Sequence, residues 1–369
     1  MEARQILQSL LKEVTDRVAS DIHIGPGFSP MLRLHGELEP AHFDQVLSPE
    51  DTRALAYLIM GEKLRVRFEQ KNEADLAFSV ANGARFRANI YTQRGLVNLA
   101  LRVIPSVIPT FKSLGLPTVV QAMAENQRGL ILISGTTGSG KSTTLAAMVD
   151  HINSTRKAHI LTIEDPIEFV HKNKKSIVNQ RELGLDTLSY AEALRSAMRE
   201  DPDVILVGEM RDLETVSAAI TAAQTGHLVL STIHTTNTIQ ILSRIIDLYP
   251  PYQQVQVRLQ LAETLKGAIS QRLLPVAHGS GRVAALEMMV VTPLIVKAIE
   301  ENSFSDIYHA LRNGQFYGMQ TFNQALMGLY NDGKVKLEDA MATASNPEEL
   351  MLAIRGIEAG ATGHDFTQG

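Results

Sequence analysis

The chain has 369 residues, of which 44% are hydrophobic and 20% charged, enough apolar sequence for two domains with cores of their own. A formal net charge of −5 gives no general attraction to nucleic acid or anionic lipid, so no nucleic-acid partner is expected. Cysteine is absent, which excludes disulfides and thiolate zinc sites. The longest apolar run, around 284–299, is interrupted by Glu287, Pro293 and Lys297, so no integral membrane segment is expected. No signal-peptide pattern opens the chain, and a cytoplasmic protein is the default expectation.

Ile6, Leu7, Leu10, Leu11, Val14 and Val18 recur at helical spacing and predict an amphipathic helix over 2–18. Short strands over 21–24 and 31–38 follow, punctuated by Gly25-Pro26-Gly27, and then a second helix over 49–69. Leu76, Phe78 and Val80 alternate, Asn82-Gly83 reads as a hairpin turn, and Phe86, Ala88 and Ile90 alternate on the return strand. A turn at Gly95 leads to a strand over 96–103. The period of two puts Arg85 and Arg87 on the face opposite Phe86, as a solvated pair unless an anion lies near. Pro105 and Pro109 mark a linker over 106–117, closing a first mixed domain at 1–105.

The pattern then changes. Residues 130–134, 159–163, 204–207 and 228–232 are nearly continuous apolar runs with helices between several of them, as in parallel strands buried on both faces. Helices are predicted to dominate beyond about 259, and the Gly-containing end over 358–369 to be disordered. The fold class is α/β.

The run Leu130-Ile131-Leu132-Ile133-Ser134 feeds Gly135-Thr136-Thr137-Gly138-Ser139-Gly140-Lys141-Ser142-Thr143, and a helix continues over 144–152. Glycines let backbone N–H groups turn inward onto a polyphosphate, and the helix N-terminus adds its dipole. Lys141 is placed to reach the β- and γ-phosphates, and Ser142 to offer its hydroxyl to Mg²⁺. Strand before and helix after make this a phosphate-binding loop, with ATP and Mg²⁺ as the implied cofactors.

Three further strand ends surround it. Val204-Ile205-Leu206-Val207-Gly208 leads to Glu209, an acid able to hold Mg²⁺ directly or through its water shell. Alone such a strand is commonplace; beside a phosphate loop it reads as functional. The strand over 160–163 ends in Glu164-Asp165-Pro166, at the sheet edge where open α/β sheets bind ligands. Glu164 there is suited to orient and deprotonate an attacking water. The strand over 228–232 is flanked by His227 and His234; a histidine at a strand exit can read a γ-phosphate, although lone histidines are usually structural. Ser189 and Glu192 form a capping-box pattern for a helix carrying Arg195 and Arg199, to which no role attaches. Arg244 and Arg272 are weaker candidates for phosphate contact.

In this order these elements resemble the hexameric motor ATPases of type II secretion and type IV pili, above all the retraction ATPases of twitching motility. The likeness runs from residue 19 to about 352. Its specific matches are Ala19-Ser20-Asp21-Ile22-His23, Ile163-Glu164-Asp165-Pro166-Ile167-Glu168, Val207-Gly208-Glu209-Met210-Arg211-Asp212, the histidine segment over 226–235, and Tyr317-Gly318-Met319-Gln320-Thr321-Phe322. The resemblance implies a PAS-like α+β N-terminal domain over 1–105 and a RecA-like ATPase domain over 118–357. It implies a homohexamer with nucleotide lying between the two domains at subunit boundaries. It further implies Glu164 as general base, Glu209 as the Walker B acid acting on Mg²⁺ through water, and His227 and His234 as γ-phosphate sensors. Arg85, Arg87 and Arg102 match positions where the family presents arginines towards the nucleotide. The implied partners are an inner-membrane pilus platform protein (PilC-like) and a paralogous retraction ATPase, with the ring peripheral at the inner membrane.

Thr136 stands where the family usually has Pro, and Asn323 replaces a common Asp. The segment Leu294-Ile295-Val296-Lys297-Ala298-Ile299-Glu300-Glu301 keeps the apolar positions of a retraction-specific motif without its arginines. Extension and secretion ATPases typically carry a four-cysteine zinc module, which this chain lacks. The expected function is ATP-driven pilus retraction; an accessory retraction paralogue and a nucleotide-binding regulator with little turnover are the alternatives.

Overall fold

The computed structural model describes residues 2–34, 36–43, 45–80, 84–105, 107–279 and 281–356. Its packing divides the chain into two units, Met1–Val107 with Pro166–Val170, and Ile108–Asp165 with His171–Gly369. Asn82-Gly83 and the segment over 358–369 lie outside the described residues.

In the first unit, helix α1 (Ala3–Asp16) buries Ile6, Leu7, Leu10, Leu11 and Val14 along one stripe. Val18, assigned to that stripe from its spacing, falls beyond the helix end at φ 55° and is 84% exposed. Strands β1 (Asp21–Ile24), β2 (Met31–Leu34) and β3 (Glu37–Pro40) follow. The single strand expected over 31–38 is thus two strands of a hairpin, with Leu34 paired to Glu37. The helix expected over 49–69 is likewise two, α2 (Pro49–Ile59) and α3 (Glu62–Lys71). Met60 takes an extended conformation between them and Gly61 opens the second helix. Strands β4 (Glu73–Ser79), β5 (Arg85–Gln93) and β6 (Leu96–Ile104) complete an antiparallel sheet ordered β3-β2-β1-β6-β5-β4 among the described residues. Phe86, Ile90, Leu99 and Leu101 point from it into the core shared with α1 and α2.

On the same sheet Arg87 is paired across to Arg102, with Arg85 two residues before Arg87. Arg102 Nε donates to Asp21 Oδ1 at 2.7 Å, and Ser20 Oγ donates to Asp21 Oδ2 at 2.7 Å. Burial opposes ionisation of Asp21, but these bonds outweigh it and hold the carboxyl below its ordinary range.

The second unit runs α4 (Thr118–Ala124), β7 (Gly129–Ser134), α5 (Lys141–Thr155), β8 (His159–Glu164), β9 (Ile177–Glu182), α6 (Tyr190–Ala197) and β10 (Val204–Val207). It continues with α7 (Leu213–Gln224), β11 (Leu228–Ile233), α8 (Thr238–Asp247), α9 (Gln254–Thr264), β12 (Leu265–Pro275) and β13 (Arg282–Val290). Helices α10 (Pro293–Glu300), α11 (Phe304–Asn313), α12 (Phe322–Asn331), α13 (Leu337–Thr343) and α14 (Pro347–Ile354) end the described chain. The sheet order is β13-β12-β7-β11-β10-β8-β9; β13 is antiparallel to β12 and every other neighbouring pair is parallel. All residues of β7, β10 and β11 are buried, as continuous apolar runs covered on both faces should be.

Beyond residue 259 helices predominate, from the end of α9 through α10 to α14, but two strands stand among them. Two long strands, β12 and β13, pair there from Gly267 with Val290 to Pro275 with Arg282, and β12 joins the central sheet beside β7. Among the described residues no helix is long and apolar enough to cross a membrane.

Candidate active site

Register brings the strand ends to one edge. Val207 lies level with Ile163 on one side and Ser231 on the other, and Ser134 lies level with Ile233. The phosphate loop, Glu164, Glu209 and His234 therefore all follow the carboxyl ends of adjacent parallel strands.

The loop leaves β7 at Gly135 (φ 145°) and enters α5 at Gly140 (φ 91°), conformations that favour glycine. Space makes the same demand, because a Cβ on Gly135 would strike the Gln271 backbone and Ser139 Oγ. Ser139 N–H donates to Thr136 O at 3.2 Å, closing a turn within the loop. Lys141 Nζ donates to Gly135 O at 2.9 Å and Thr136 O at 3.0 Å, which places its ammonium across the cradle. Ser142 and Thr143 occupy the first turn of α5, and Thr137 and Gly138 form the tip of the loop. Strand β12 supports all this from beneath. Gln271 Oε1 accepts from Thr144 Oγ1 at 2.8 Å in a buried contact, and the Ser134 and Ser270 hydroxyls are bonded to each other. Gln271 escaped the sequence reading because 127 positions separate it from Thr144.

Glu164 Oε1 accepts from Thr162 Oγ1 at 2.7 Å and from Gln180 Nε2 at 3.1 Å. Gln180 is itself held by the His171 N–H, which donates to its Oε1 at 2.8 Å. Donors on both β8 and β9 thus fix the proposed base.

The turn carrying Glu209 is pinned by β11: Ser231 Oγ donates to Val207 O at 2.8 Å and Thr232 Oγ1 to Gly208 O at 2.6 Å. The Glu209 side chain, 13% exposed, is paired with Arg211 at 2.6 Å and His234 Nε2 at 3.1 Å. The hydrogen bond from Arg211 to Glu209, reinforced by their opposite charges, raises the arginine's pKa. Arg211 belongs to the motif over 207–212, but its sequence position alone assigns it no role. Tyr190, the first residue of α6, was also missed. Burial raises its pKa, and the negative charges of Asp165, Glu209 and Glu164 add to the effect.

His227 lies at the other end of the strand. It precedes β11, whereas His234 follows it, so a six-residue strand separates them, about 20 Å of extended chain. His227 O accepts from Gly129 N–H at the opposite, amino edge of the sheet. Its Nδ1 lies 2.9 Å from Ala222 O and 3.2 Å from Thr225 Oγ1, and it closes the last turn of α7. Within one chain it does not join the phosphate loop.

Arg272 reaches the carboxyl edge but is committed to structure. It donates to Thr236 O at 3.2 Å and to Thr343 O, and lies 3.8 Å from the centre of the Phe322 ring. Burial lowers its pKa. Arg244 is exposed in the last turn of α8, one helix length from that edge. Arg199 Nη1 donates to Arg195 O at 3.1 Å. Asn323 donates to Asn346 O at 3.0 Å and Glu349 at 3.1 Å, tying α12 to α14.

This arrangement is that of a P-loop ATPase, with two carboxylates and a histidine at the strand ends on the edge that carries the phosphate loop. Comparison with known proteins narrows the class: the type II/IV secretion system protein family matches residues 2–314, and the chain belongs to that family. It is 47% identical to the type IV pilus retraction ATPase PilT of Pseudomonas aeruginosa, covering 90% of this chain and 96% of that protein. Identity to the type IV pilus ATPase PilU of the same organism is 39%, covering 94% and 91%. A crystal structure of the pilus retraction motor PilT with bound ADP superposes with a TM-score of 0.87 at 50% identity, covering 93% of this chain and 98% of that one. The chain is an ATPase of this family, closer to PilT than to PilU.

Proposed function

We propose that the chain is the motor of type IV pilus retraction, working as a homohexamer at the cytoplasmic base of the pilus machine. The observation carrying this reading is the likeness to PilT over nine-tenths of the chain, together with Glu164, Glu209 and His234 at one sheet edge.

The loop over 135–143 cradles the phosphates, with Lys141 directed at the terminal pair. Among the described residues no three acidic or histidine groups gather as they would around a resident metal. Ser142 and Glu209 instead offer a sparse oxygen set, which fits Mg²⁺ held mainly by phosphates and water. When bound, the ion neutralises charge on the β- and γ-phosphates. Glu164, fixed by Thr162 and Gln180, accepts a proton from the attacking water. The water oxygen bonds to the γ-phosphorus, the bridging oxygen leaves on ADP, and inorganic phosphate is released. His234 reads the presence of the γ-phosphate through its bond to Glu209. In the assembled ring, Arg85, Arg87 and Arg102 supply positive charge to the nucleotide. A PilC-like platform protein receives the work, and a paralogous retraction ATPase is a further candidate partner.

Glu164→Gln keeps the hydrogen-bonding shape and removes the base. Steady-state ATP hydrolysis should fall by roughly 10²-fold or more while nucleotide affinity persists; near-normal turnover would refute the assignment. Deleting the gene in its host should leave excess surface pili and no twitching. Bald cells would indicate extension instead, and unchanged motility an accessory role.

A further inference from the structure

Gly208 is glycine for a reason its backbone angles do not supply, since it is not among the residues at positive φ. A Cβ there would lie 3.1 Å from the Tyr190 hydroxyl oxygen, 3.2 Å from Ile163 O and 3.4 Å from Glu164 Cα. The missing side chain lets the tip of the tyrosine reach the junction of β8 and β10, between the residues that carry Glu164 and Glu209. Position 190 opens α6, whose N-cap Ser189 accepts from Glu192 N–H at 3.1 Å, so the ring is delivered from a fixed helix end.

We propose that Tyr190 is a further catalytic residue, whose hydroxyl orients the attacking water beside Glu164. This rests on the reading of Glu164 as the base. A water that attacks phosphorus must keep a lone pair directed at it, and so must have both hydrogens held elsewhere. Glu164 takes one, which is the proton transferred. The Tyr190 oxygen accepts the other without taking it. The P–O bond formed, the P–O bond broken and the proton passed to Glu164 are those of ordinary hydrolysis. Tyr190 stays protonated throughout and contributes orientation.

A packing role alone would not need the oxygen, because phenylalanine fills the same space. Tyr249, another half-buried tyrosine of this unit, bonds its hydroxyl to Ser217 Oγ at 2.9 Å. Among the described residues no such bond ties down Tyr190. Its oxygen instead feels the negative charges of Asp165, Glu209 and Glu164, opposed by Arg211, and Glu164 and Glu209 are the acids assigned to the hydrolysis.

The test compares Tyr190→Phe, Glu164→Gln and the parent as full-length protein, measuring kcat, KM for ATP, affinity for a fluorescent ADP analogue and melting temperature. Tyr190→Phe is expected to lower kcat by about tenfold with KM, ADP-analogue affinity and melting temperature unchanged. Gly208→Ala should lower kcat by displacing the hydroxyl, and the double variant should be no slower than the slower single one. Turnover in Tyr190→Phe within twofold of the parent would overturn the proposal. So would a loss of kcat accompanied by weaker ADP-analogue binding and a lower melting temperature, which would mark a structural tyrosine. Retained turnover in Glu164→Gln would instead overturn the base assignment, and the water geometry with it.

Discussion

Strand β11 carries a histidine beyond each end, and the two residues have different lives. His234, at the carboxyl end, bonds Glu209 beside the phosphate loop. His227, at the amino end, closes the last turn of α7. A parallel sheet is polar: its carboxyl edge presents helix N-termini and their N–H groups, while its amino edge receives helix C-termini and their carbonyls. The same side chain therefore meets a carboxylate at one edge and caps a helix at the other. Position along the strand decides which.

The sharpest way to break this contrast is at the carboxyl edge. Glu209→Gln removes the charge on which Arg211 and His234 converge, and should lower kcat by roughly 10²-fold or more. ADP binding without magnesium should change little. A fall of less than fivefold in steady-state hydrolysis would show that the edge does not depend on this carboxylate.

The histidines provide the paired test. His234→Ala should lower kcat by about tenfold with little change in melting temperature. His227→Ala should leave kcat within twofold and destabilise the fold by about 1 kcal/mol through the lost hydrogen bond at the end of α7. Hydrolysis assays and thermal melts of both variants suffice. If His227→Ala proved the slower enzyme, the division between the edges would fail, and a role across subunits in the ring would be required.

The same polarity explains what was legible beforehand. Strands β7, β8, β10 and β11 are buried on both faces, so they appear as apolar runs, and the loop after the first of them has a fixed glycine pattern. β12 includes Lys266, Gln271 and Arg272, and β9 carries Asn179, Gln180 and Arg181, so neither showed an apolar run. Pairing with distant strands holds both in place. Gln271 and Tyr190 join the site only through those long-range contacts and had no local signal. The separation of His227 from His234 was legible, since two histidines flanking a strand of six residues must lie at its opposite ends.

A smaller effect tests how the carboxyl edge is held. Glu287 on β13 lies level with Ser270, itself level with Ser134 at the end of β7. It is buried, and its Oε1 accepts from Thr238 N–H at 2.7 Å and Thr238 Oγ1 at 2.8 Å, anchoring the helix that follows His234. Burial raises its pKa, against hydrogen bonds from Thr238 and Phe322 and the charge of Arg272, which work to lower it. A carboxyl whose folded pKa is raised above the unfolded value of 4.5 favours folding most below that value, and this contribution is lost as pH rises through the folded pKa. Glu287→Gln keeps an acceptor for Thr238 but does not titrate. Wild type should therefore lose melting temperature relative to Glu287→Gln as pH climbs from about 4.5 towards neutrality. Parallel melting curves across that window would mean that Arg272 and the two helix starts fully offset the burial, leaving this part of the edge insensitive to pH.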